Sequence, residues 1–64
     1  MKKFSVWVEY ADKSKFNFDV TLNGKESEIY AELMMIVRGT LMASCASRIV
    51  AYNEDGLEVV SYFQ

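Results

Sequence analysis

The stretch ESEIYAELMMIVRGTLMAS, residues 26–44, decides the fold. Leu, Met, Ala and Glu dominate it, all good helix formers. Glu26, Glu28 and Glu32 crowd its first turns, where acidic side chains favour the positive end of a helix. Ile29, Leu33, Ile36, Val37 and Thr40 fall on one stripe suited to a small core. The other side carries Ala31, Met34, Met35, Gly39 and Met42, with Arg38 among them. A lone domain should present charge on that side, so this surface reads as a contact face. Gly39 is the one weak point, destabilising by roughly 1 kcal/mol relative to Ala.

Two helix starts precede the stretch. Asn23 with Glu26 three residues on mimics a capping box, and Ser27 offers a second N-cap. The helix should run out in the small-residue segment Ala43-Ser44-Cys45-Ala46-Ser47.

Upstream, the period changes from helical to two. From Lys3 to Tyr10, Phe4, Val6, Val8 and Tyr10 alternate with Lys3, Ser5, Trp7 and Glu9. Ala11-Asp12-Lys13-Ser14 reads as a hairpin connection. From Lys15 to Leu22, Phe16, Phe18, Val20 and Leu22 alternate with Lys15, Asn17, Asp19 and Thr21. A strand with one wholly polar face suits a sheet with water on one side, as at an edge. Asn23-Gly24 stops it. Downstream, Arg48 to Tyr52 forms a third strand and Leu57 to Phe63 a fourth. The turn Asn53-Glu54-Asp55-Gly56 between them has glycine placed for a left-handed conformation.

The element order predicts an α+β fold, ββαββ, with one helix on one face of a four-stranded, mainly antiparallel sheet. A helix of about 18 residues spans about 27 Å, close to the about 26 Å of an eight-residue strand. The first strand is the most apolar on both faces, which favours the strand order 2-1-3-4 over 2-1-4-3. The inner face should hold Phe4, Val6, Val8, Phe16, Phe18, Val20, Leu57, Val59 and Phe63; the third strand could turn either Ile49 and Ala51 or Val50 and Tyr52 inward, and the former pair is preferred. The outer face should then present Trp7, Val50, Tyr52, Val60 and Tyr62 as an aromatic-aliphatic patch. Ordinary cross-strand pairing explains such a patch equally well.

At 64 residues the chain makes a single domain, 1–64, that buries only about 60% of its unfolded surface. Chains this small gain stability from disulfides, metals or partner subunits. The lone Cys45 and the absence of histidine close the first two routes, leaving oligomerisation. No cofactor or metal is expected. A net charge of −2 with interspersed signs argues mildly against nucleic acid, whose binders usually show a basic patch, although a local patch can sit on an acidic protein. The longest uncharged run, Gly39 to Ser47, is too short to span a bilayer. Glu9 and Asp12 interrupt any signal-peptide-like run after Lys2-Lys3. The expectation is a cytoplasmic protein with a reduced thiol and no membrane partner.

Catalysis is not expected. No histidine is present to act as a base near neutral pH. Cys45 follows a helix C-terminus, where nothing activates a nucleophile, and reads as a small buried or half-buried residue. Ser44, Ser47 and Thr40 read as satisfying backbone groups at the helix end. The acidic tip around Asn53, Glu54, Asp55 and Glu58 lacks the ligand spacing of a calcium loop.

Together these features point to a non-enzymatic protein-binding module of the regulator, adaptor or inhibitor type. It is expected to self-associate, most simply as a dimer. If two helices meet about a two-fold axis, Arg38 would lie near it, within reach of Glu28 or Glu32 of the other copy. The alternative is a binder of single-stranded nucleic acid, with Trp7 and either Tyr52 or Tyr62 stacking on bases, flanked by Lys3, Lys15 and Arg48. Glu9, Asp19 and Glu58, which fall on that same face, oppose it.

Overall fold

A computed structural model describes all residues from Met1 to Gln64. The elements are β1 (Lys2–Glu9), β2 (Lys15–Leu22), α1 (Glu26–Ser44), β3 (Arg48–Tyr52) and β4 (Glu58–Phe63). The sheet has the order β2-β1-β3-β4, and every neighbouring pair is antiparallel. This is the ββαββ architecture expected from the change in hydrophobic period. β1 sits between β2 and β3, with Phe4, Val6 and Val8 fully buried on the helix side and Trp7 on the bare side among Ser5 and Glu9.

The core lies between α1 and one face of the sheet. Ile29, Leu33, Val37 and Leu41 are buried on the helix, where a strict four-residue spacing makes a stripe that slants across the strands. They meet Phe4, Val6, Val8, Leu22, Ile49 and Ala51, with Ala46 closing the end. The expected stripe omitted Leu41. It also included Ile36 and Thr40, whereas both are only half-buried.

The caps differ from expectation in one respect. The N-cap is Lys25, with extended backbone, rather than Asn23 or Ser27. Glu28 makes the reciprocal half of a capping box by accepting the Lys25 N–H at 3.1 Å. The helix closes at Cys45, whose φ of 56° is left-handed.

The larger correction lies in β4. Ile49 pairs with Tyr62 and Ala51 with Val60, so Val60 and Tyr62 share the inner face with the helix. Arg48 pairs with Phe63, which puts Phe63 outside and 72% exposed. Leu57 is exposed as well. The cause is an irregularity in register between Ala51 and Tyr52, together with the turn before it. The Asn53 side chain accepts the N–H groups of both Asp55 and Leu57, which draws Leu57 into the turn. A slip of one residue then sends every following side chain to the opposite face.

Candidate functional site

Exposed apolar side chains gather on the outer side of α1, on the bare side of the sheet and at one end of β2. On α1 the buried stripe faces the strands, so the residues opposite it point to water. Ala31, Met34, Met35, Arg38 and Met42 line one shallow, mostly apolar depression there. Met35 is 76% exposed, Met42 71% and Met34 41%. The structure brings these five together. Gly39 is exposed too, but it lies outside the depression, and a side chain there would meet open space. Its small size serves no packing need within the chain.

Arg38 belongs to the depression but does not stand upright in it. Its guanidinium lies 5.8 Å from the centre of the Tyr62 ring, so the side chain leans over the flank toward β4. The two ion pairs of the chain join Lys2 to Glu26 and Lys15 to Glu9, so Arg38 has no acidic partner. The centre of the face is thus left to three thioethers and the small Ala31. Methionine is flexible and polarisable, and such surfaces adapt to varied apolar partners.

The bare face of the sheet is organised in rows set by the strand pairing. One row is Lys15, Glu9, Arg48 and Phe63, and the next is Asn17, Trp7, Val50 and Ser61. Asp19, Ser5, Tyr52 and Glu58 form a third. Of the five residues expected on this face, Trp7, Val50 and Tyr52 are present. Val60 and Tyr62 are not, for the reason given above. Val50 is only 4% exposed although no helix covers it. Trp7, Arg48 and Tyr52 flank it, and with Glu9 and Lys15 they line a small hollow. Arg48 holds its guanidinium 5.4 Å from the Phe63 ring centre, and its Nε is buried without a hydrogen-bond partner. Lys15 Nζ lies 3.7 Å from the Glu9 carboxylate. The charges on this face alternate in sign, which makes it a poor track for phosphates.

A third surface was not foreseen. Along β2 the inner-face side chains run from buried Leu22 through half-buried Val20 and Phe18 to Phe16 at 42% exposure. Tyr10, Phe16 and Phe18 stack in sequence, with ring centres 6.0 Å and 6.3 Å apart. α1 leaves the sheet from the Leu22 end of β2 and finishes beside β3, so the Lys15 end of β2 has no cover. The alternation of β2 identified its apolar face. Only the diagonal path of the helix determines how much of that face is covered.

The remaining chemistry is structural. The Ser44 hydroxyl donates to the Thr40 carbonyl at 2.6 Å, and that of Ser47 to the Glu9 carbonyl at 3.0 Å. Cys45 is exposed rather than buried or half-buried, because a left-handed C-cap turns its side chain away from the core. No group of three His, Cys, Asp or Glu side chains is placed to hold a metal ion. No helix is long and apolar enough to cross a membrane. The Asp12 carboxyl is held below the usual carboxylate range, first by the Ser14 hydroxyl and then by the Ser14 N–H. No protein-family model, no curated protein and no solved structure matches this chain.

Proposed function

We propose that this chain is a small non-enzymatic protein-binding module that self-associates, and that the outer face of α1 is a protein contact surface. The observation that carries this reading is the exposure of Met34, Met35 and Met42 around one apolar depression with no acidic residue in its lining. In a domain of this size, so much apolar surface on one element marks a place where another molecule sits. Arg38, unpaired at the flank, adds a charge that can select an acidic group on that molecule.

Oxidative footprinting tests the contact surface directly. Peroxide converts exposed methionine to sulfoxide, and burial slows the reaction. Rates at Met35 and Met42 are compared in dilute protein, in concentrated protein and in extract of the cell of origin. Protection on concentration assigns the face to self-association. Protection in extract alone assigns it to a different protein. Equal rates in all three would remove the basis of the reading.

A second reading, binding of single-stranded nucleic acid, keeps Trp7 and Tyr52 on the bare face beside Lys15 and Arg48. It has lost Tyr62 to the core side, and Glu9 already engages Lys15. A gel shift that weakens steeply with salt would favour it.

A further inference from the structure

We propose that two copies of this chain join edge to edge through β2, antiparallel about a two-fold axis at Asn17, to make one continuous sheet. This rests on the self-association read above and names the surface responsible, which leaves the methionine face of α1 for a different protein.

The two edges of the sheet are not alike. β4 is six residues long, and its pairing with β3 is broken by a register irregularity, two features that blunt an edge against further pairing. β2 is eight residues long and pairs with β1 in unbroken register along its whole length. It has no proline and no bulge. Only its side chains decide what can join it.

The hydrogen-bond phase of β2 follows from its hairpin. Tyr10 donates its N–H to the Ser14 carbonyl at 2.9 Å, which makes that pair a hydrogen-bonded one. Alternation along an antiparallel ladder then gives the backbone groups of Phe16, Phe18 and Val20 to β1. Those of Lys15, Asn17, Asp19 and Thr21 point to the free edge. A second strand must therefore set its own outward-bonding residues opposite these, and a second copy of β2 does so about an axis at Asn17.

In that register Lys15 of each copy stands opposite Asp19 of the other, and Asn17 meets Asn17. Across the seam on the bare face, Asp19 of the second copy, Lys15, Glu9 and Arg48 then alternate in sign. On the inner face Phe16 stands opposite Phe18 of the other copy, at non-hydrogen-bonded positions where side chains approach most closely. This pairing covers Phe16, whose exposure the helix leaves unrelieved, and extends the stack that runs from Tyr10 through Phe16 to Phe18. Moving the axis to Phe18 sets Lys15 against Thr21 and loses both ion pairs. Lys15 thus finds an opposite charge when the partner is a second copy in this register.

The reciprocity supplies the test. Lys15→Glu and Asp19→Lys each place like charges opposite one another twice per dimer, and each should raise the dimer dissociation constant about tenfold or more. Mixed in equal amounts, the two variants form a heterodimer in which both pairs are complementary again. Sedimentation velocity across a concentration series should show wild-type dimer, each variant shifted to monomer, and the mixture restored to dimer. Restoration also proves that both variants are folded. Variants that keep the wild-type mass, or a mixture that stays monomeric, would overturn the proposal. Met35→Glu separates this from the reading on which it rests. If it dissociates the dimer while the charge variants do not, α1 carries self-association and the β2 edge does not. Wild-type monomer at every concentration overturns self-association altogether, while footprinting in extract still decides whether the methionine face binds another protein.

Discussion

The guanidinium of Arg38 lies 5.8 Å from the ring centre of Tyr62, joining the outer flank of α1 to the edge strand β4. The contact exists because Tyr62 pairs with Ile49 and so faces the helix. A cation over an aromatic face at an exposed site contributes about 0.5–1 kcal/mol. Replacing Arg38 with Gln should lower unfolding stability by that amount in wild type and by much less in a Tyr62→Leu background. Urea unfolding of the four proteins of this double-mutant cycle measures the coupling. A coupling near zero would mean that Arg38 spends its time elsewhere, free to meet an acidic partner.

The same pairing shows where reading the sequence stopped short. Strand number and direction followed from period and turn residues, and strand order from the apolar character of β1. The face that β4 presents did not follow. Its phase relative to β3 is set by the turn at Asn53 and by the irregularity beside Tyr52, and alternation within Leu57–Phe63 carries no record of either. The methionine face of α1 was legible because it depends only on helical geometry within one element. The open end of β2 was not, because it depends on the angle at which α1 crosses the sheet.

Leu41 and Met42 are neighbours in sequence and opposite in environment, the first 6% exposed and the second 71%. Leu41→Ala should therefore cost about 2–5 kcal/mol through lost burial and the cavity left behind. In so small a domain that is a large share of the total stability, and the melting temperature should fall steeply. Met42→Ala should change stability by no more than about 0.5 kcal/mol, since an exposed position tolerates truncation. Thermal unfolding by circular dichroism at low concentration, where self-association is absent, checks both. A large loss for Met42→Ala would show that this thioether packs within its own chain.

Cys45 ends the helix with φ at 56°, a conformation that glycine adopts freely and that other side chains resist. Relieving a left-handed non-glycine residue is worth about 1–2 kcal/mol at most. Cys45→Gly should accordingly raise stability by about 1 kcal/mol, while the β-branched Cys45→Val should lower it. Because the thiol is exposed and engages no other group, neither change should alter the fold seen in an amide NMR spectrum. A destabilised Cys45→Gly would mean that the side chain has a contact outside the backbone cap.

Asp12 and Ser14 make the turn between β1 and β2, with the Ser14 hydroxyl 2.5 Å and its N–H 2.9 Å from the same carboxylate oxygen. Both donors favour the charged form, so the carboxyl titrates below its ordinary range in the folded chain. A carboxyl whose folded pKa is depressed adds stability that is fully present above its unfolded pKa and is lost as pH falls through the folded one. Ser14→Ala removes the larger of the two causes and keeps the N–H. Its Asp12 should titrate at a higher pH than in wild type, though still below an unstructured aspartate. Carbon-detected NMR of the side-chain carboxyl measures this. The stability difference between wild type and Ser14→Ala should be visible at neutral pH and should shrink as the solution is acidified past the wild-type titration. A difference that stays constant across that range would show that the hydroxyl stabilises the turn without regard to the charge on Asp12.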